Sequence, residues 1–133
     1  MASVFAGMVA PNSVEIVHAS DNKRNIDQLA VDVMSEIDQE IPDKVKNSVE
    51  DLLHEQFDLI VTLCNKAREI CPIFPGSPAR IHWSLKDPLS PDNKLDYIQA
   101  FRQIRDEIRS RVNSLFQYGF IDSIREMWTI FRS

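Results

Sequence analysis

Cysteine is scarce in this chain, with two residues in 133. In a reducing compartment so few thiols more often carry chemistry than staple a fold. No apolar run approaches the roughly 18 residues needed to span a bilayer. The first residues also lack the basic segment followed by a hydrophobic one that marks an export signal. A cytoplasmic protein without membrane contact is therefore expected. Positive charge is not in excess: the net charge of -5 argues against a nucleic-acid groove or an anionic membrane surface as partner. His18 and His54 are too scattered to join the cysteines in a tetrahedral zinc motif, so neither metal nor cofactor is expected. There is no repeat, linker or low-complexity stretch. The remaining composition is ordinary globular usage, 44% hydrophobic and 26% charged, enough for one core.

Residues Ala2 to Ala10 read as a short helix stopped by Pro11, and Val14 to His18 as a strand. After a polar turn at Asp21 to Arg24, Ile26, Leu29, Val33, Met34 and Ile37 recur at helical spacing. Ser48 with Asp51 opens a second helix, an N-cap followed by an acidic first turn. Phe57 to Leu63 is a near-continuous apolar run, the pattern of a strand buried on both faces. Arg80 to Trp83 reads as a shorter strand, and Ile98, Phe101, Ile104, Ile108, Val112 and Leu115 stripe a long helix. Strands alternating with helices imply a parallel α/β sheet with right-handed crossovers. Cys64 then sits where a strand delivers its end into a loop, the edge of such a sheet at which ligands bind.

The segments "VTLC…AREICP" from Val61 to Pro72, "RIHWSLKDP" from Arg80 to Pro88 and "FRQIRDEIRSRV" from Phe101 to Val112 resemble the arsenate reductases of the low-molecular-weight tyrosine phosphatase superfamily, in order and at compatible separations. The resemblance runs from Met1 to about Phe116. It implies a three-layer, low-molecular-weight phosphatase-like domain with a four-stranded parallel sheet. It also implies roles. In that family a loop cysteine in a C-x5-R motif attacks arsenate, a second cysteine displaces arsenite by forming a disulfide, and a third takes over that disulfide and presents it to thioredoxin. Cys64 and Cys71 match the second and third, with Lys66 and Arg68 between them as favourable positive charge for a thiolate. Asp87, before Pro88, matches the aspartate that serves as general acid. Without the resemblance, Asp87-Pro88 reads as a turn opener, Cys64 as a small buried hydrophobe, and His82-Trp83 as packing residues. The family's Ser-Ala-Gly after its second strand stands here as His18-Ala19-Ser20.

Neither cysteine begins a C-x5-R motif: Ile70 stands six residues after Cys64 and Ser77 six after Cys71. The family's first strand and oxyanion loop are thus expected to be missing, with the chain opening just past them. By resemblance that first strand is a central one. Its loss would leave Val14–His18 and Phe57–Leu63 without their shared neighbour, exposing edges that invite pairing. A homodimer, a marginal fold, or a partner protein at the open sheet edge is the expected consequence. Residues 1–116 are read as the incomplete domain and 117–133 as a C-terminal extension. In that extension Ile121, Ile124, Trp128 and Phe131 form one apolar face of a helix, beyond Gly119. This helix is expected to cover the weakened sheet or to dock a partner.

Three functions fit these readings. One is an arsenate reductase or related phosphatase whose true start lies upstream of Met1. Another is a non-catalytic, regulatory pseudo-enzyme acting through a partner. The third is a dithiol protein that exchanges with thioredoxin through Cys64 and Cys71, or captures a soft metalloid such as arsenite.

Overall fold

The computed structural model describes residues 1–12, 14–20, 28–41, 48–63, 73–76, 78–86, 88, 96–117 and 127–132, with Ser20 and Met127–Arg132 described by backbone alone. Helix α1 spans Ala2–Val9 and ends at Ala10, whose φ of -66° and ψ of 139° are extended. That is the region to which a following proline confines its neighbour. Strand β1 is Glu15–Ser20 and helix α2 is Gln28–Ser35. The α2 ladder is closed by a Schellman motif. The Gln39 N–H donates to the Met34 carbonyl at 3.0 Å and the Asp38 N–H to the Ser35 carbonyl at 3.0 Å, with Asp38 at φ 58°. Aspartate is among the few non-glycine residues that tolerate this left-handed conformation.

Ser48 opens a single 3-10 turn, Val49–Leu52, in place of the longer helix its sequence suggests. The cap itself is as expected, because the Ser48 backbone N–H donates to Asp51 Oδ2 at 3.0 Å. Strand β2 is Leu59–Thr62, buried throughout, and strand β3 is Ala79–His82, partly exposed. The long helix α3 runs Tyr97–Gln117 and buries Ala100, Phe101, Arg105, Ile108 and Val112 along one stripe.

All strands pair in parallel, in the spatial order β1-β4-β2-β3. The fold is a small α/β domain of the expected class. Two cores sandwich the sheet. Leu59 and Val61 of β2 join Ile16, Ile81 and the helices, with Phe5, Val33, Met34, Phe101, Ile108 and Val112 fully or almost fully buried. Ile60, on the opposite face, packs with Ala19, Leu52, Phe57 and Phe74. This alternation is the period-2 geometry of a strand that buries both faces.

The fourth strand, β4, is Met127–Arg132, and it corrects two expectations. First, the apolar spacing in 117–133 predicts a helix, yet the part of that extension described beyond Gln117 is a strand. Its sequence, Met-Trp-Thr-Ile-Phe-Arg, is a run of aromatic and β-branched residues, types that fit a pleated surface. A short apolar run satisfies helical and strand spacing alike, and here the sheet decides. Ile121 and Ile124 lie outside the described residues. Second, β1 and β2 do not lack a neighbour. Strand β4 lies between them, pairing Thr129 with Val17 on one side and Ile60 on the other. The central gap that would invite pairing with another chain is filled by the chain itself.

The seam between α2 and α3 is polar. Arg105, 9% exposed, donates from Nη1 to the Val33 carbonyl at 2.9 Å and to Glu36 at 3.1 Å, and from Nε to Asp106 at 2.8 Å. The Val33 carbonyl belongs to the last turn of α2, where carbonyls lack intrahelical partners and a cation is favoured. Arg102 reaches the same Glu36 from Nε, at 3.0 Å to each carboxylate oxygen. The Arg102 hydrogen bond, aided by Arg105 and opposed by desolvation, holds the Glu36 carboxyl below the ordinary carboxylate range.

Candidate functional site

Parallel pairing brings the carboxyl ends of all four strands to one edge of the sheet, the place where open α/β sheets bind ligands. Strand β2 leaves this edge through Leu63, which is buried at 6% exposure. The chain returns at Phe74, 1% exposed, whose ring meets Phe57 edge-on with centroids 5.6 Å apart and planes at 78°. Gly76 then turns the backbone at φ 81°, against the side chain of Gln56. The Ala79 N–H then begins the β2–β3 ladder by donating to the Asp58 carbonyl at 3.0 Å. Leu63 belongs to the helix-side core and Phe74 to the opposite one. Cys64 and Cys71 fall between these two residues in sequence, and they lie outside the described residues, as do Lys66, Arg68 and Asp87.

At the carboxyl ends of β2 and β3 stands a polar contact that sequence reasoning missed. Thr62 pairs with His82 in the β2–β3 register, and Thr62 Oγ1 lies 2.7 Å from His82 Nδ1. Thr62 is 6% exposed, so the contact satisfies a hydroxyl that would otherwise be buried unpaired. With a neutral ring protonated on Nε2 the Thr62 hydroxyl donates to Nδ1; a protonated ring donates from Nδ1 to Thr62. The neighbouring Trp83 is the packing residue expected, 6% exposed, and its N–H extends the ladder to the Thr62 carbonyl at 2.9 Å. His82 is likewise a structural residue of β3, with its ring nitrogen satisfied by the Thr62 hydroxyl. Only the strand register could have revealed the pair, because Thr62 and His82 are 20 residues apart and carry no joint motif.

His18, Ala19 and Ser20 end β1 at the same edge, where Ala19 is fully buried and Ser20 is opposite Arg132. Among the described residues no three His, Cys, Asp or Glu side chains converge as metal ligands, and no helix is long and apolar enough to cross a membrane.

The chain's relatives fit this architecture. The family model described as low molecular weight phosphotyrosine protein phosphatase matches residues 16–126, ending immediately before β4. An arsenate reductase of Halalkalibacterium halodurans is 30% identical over 106 residues, covering 79% of this chain and 76% of the relative. Arsenate reductase 1 of Bacillus cereus is 26% identical over 119 residues, 90% of this chain and 85% of its own length. An arsenate reductase of Brevibacillus brevis is 28% identical over the same length, with the same coverage. With the matched span running from β1 through α3 and reductases aligned over most of their length, the chain belongs to the low-molecular-weight phosphotyrosine protein phosphatase family, among its arsenate reductase relatives.

Proposed function

We propose that these 133 residues act as an arsenate reductase-like dithiol domain, in which Cys64 and Cys71 exchange a disulfide with thioredoxin while oxyanion turnover is absent. The observation that carries this reading is the similarity to arsenate reductases over 79–90% of the chain, in a sequence that holds the Cys64–Cys71 pair but no C-x5-R motif. Oxyanion transfer depends on preorganised N–H donors and an arginine around a nucleophile. Asp87, the ancestral general acid, cannot replace them.

Thiol exchange needs less. Cys64 and Cys71 lose two electrons and two protons to a peroxide, which is reduced to water, and form one S–S bond. A thioredoxin thiolate then attacks a sulfur of that bond, passes through a mixed disulfide, and leaves as oxidised thioredoxin with both cysteines reduced.

The test is peptide mapping after mild oxidation, followed by thioredoxin and its reductase. A Cys64–Cys71 disulfide within one chain that thioredoxin reduces is the expected result, together with aryl phosphate and arsenate turnover no faster than in Cys64→Ser. Two free cysteines after oxidation would sink the redox reading. Thioredoxin-dependent arsenate turnover abolished in Cys64→Ser would instead reveal a relocated nucleophile.

A further inference from the structure

Strand β4 fills a slot whose two walls are β1 and β2. It pairs in parallel with β1 from Glu15↔Met127 to Ser20↔Arg132, and with β2 from Leu59↔Trp128 to Thr62↔Phe131. In the sheet order β1 and β2 are joined only through it. These ladders bond backbone to backbone, and such pairing recognises an extended strand of fitting pattern, not the chain that supplies it.

The attachment of β4 is no more selective than the slot. Helix α3 ends at Gln117 and β4 begins at Met127. A connection of that length reaches at most about 35 Å, whereas the outer strands of a four-stranded sheet lie about 14 Å apart. Covalent linkage therefore does not confine β4 to its own slot. The span that matches the family, residues 16–126, contains β2 and nearly all of β1 and stops before β4, so walls and filling are separate parts of the sequence. An empty slot would expose the inner edges of β1 and β2, rows of unpaired backbone groups that draw in a strand. The segment whose register fits both walls is β4, and a second copy carries the same segment.

We propose that the slot between β1 and β2 is an interaction site for a second copy of this chain, which inserts its β4 there and receives the other in return. Reciprocal exchange keeps every ladder bond of the single chain, so its cost is the freedom lost on association and its extent rises with concentration. In the exchanged pair the order β1-β4-β2-β3 is unchanged, but the carboxyl edge of each sheet, where such sheets bind ligands, is built from two chains. The inference stands on strand register and is independent of the thiol chemistry.

The experiment uses full-length chains in which Cys64→Ser and Cys71→Ser remove the native thiols. One chain carries Glu15→Cys and the other, marked by a mass tag, Met127→Cys. These positions are Cα partners, and Glu15 is exposed to an oxidant. Neighbouring strands lie about 4.8 Å apart, inside the roughly 7 Å limit for a disulfide, and neither chain can close such a bond internally. The two are unfolded, mixed, refolded at high concentration and oxidised. A covalent heterodimer mapped to positions 15 and 127 is expected, and its yield should fall when the mixture is diluted before refolding. Ser20→Cys with Arg132→Cys should behave alike, because these two are also partners. Glu15→Cys with Arg132→Cys, out of register, should link far less. A single chain carrying both Glu15→Cys and Met127→Cys, refolded when dilute, should close internally. Internal closure in that chain without heterodimer in either register pair would overturn the exchange and leave β4 in its own slot. Equal linkage of the out-of-register pair would reduce the heterodimer to random association, and absence of every linkage would overturn the slot itself.

Discussion

The inner strands of the sheet and the seam between α2 and α3 hold one fold by different means. At the sheet's centre β2 is buried throughout, and β4 beside it pairs with a strand on each side. At the seam, Arg105 ties a carbonyl of α2 and the carboxylates of Glu36 and Asp106, with Arg102 sharing Glu36. Burial of apolar surface is indifferent to pH and tolerant of exact partners. The seam depends on charge states and on each donor finding its acceptor. The difference teaches where this molecule can be tuned gently and where a single change is felt throughout.

The largest effect should come from removal of residues 127–133. That deletion strips the shared neighbour from β1 and β2 and leaves two rows of backbone groups unpaired. Loss of a cooperative unfolding transition, or conversion to larger species in sedimentation, is expected. A deletion variant that stays monomeric and melts like wild type would show that β4 does not hold the centre. Next in size is Ile60→Ala, at a position that is fully buried on the Phe57–Phe74 side. A loss of about 2–5 kcal/mol by denaturant titration is expected, with little dependence on pH.

The smallest effect, Glu36→Gln, sharpens the contrast through its pH dependence. The folded-state carboxyl lies below its ordinary value, chiefly through the Arg102 hydrogen bond. Its contribution is therefore present above the unfolded value of about 4.3 and is lost as pH falls through the lower folded value. Wild type and Glu36→Gln should differ at neutral pH and converge on acidification. A difference that persists at low pH would assign the loss to shape rather than to charge.

Much of this architecture is legible in the residues, for particular reasons. Strand β2 can be read because its apolar run is bounded by polar residues and leads to Cys64. Helix α3 can be read because Ile98, Phe101, Ile104, Ile108, Val112 and Leu115 keep one stripe along most of the 21-residue helix. Strand β4 escapes local reading because Trp128 and Phe131 also suit a helical face, and only the space between β1 and β2 selects the extended form. Local spacing cannot report a gap created by strands far away in sequence. The candidate site divides in the same way. Cys64, Cys71 and Asp87 come from motif resemblance and lie outside the described residues, whereas the Thr62–His82 contact comes from register, which no local pattern encodes. Ser48 illustrates a third limit: its cap is legible and the length of the helical turn after it is not, because a cap fixes the start of a helix and tertiary packing its end.

The place of β4 also sets an order of events during synthesis. Of the four strands it is the last to leave the ribosome, yet it is an inner strand of the sheet. Until it emerges, β1 and β2 lack the neighbour they share, and each carries a sticky edge. Closing the sheet then joins residues more than a hundred positions apart, as in the pairing of Glu15 with Met127. Contacts of such long range make closure of the sheet slow.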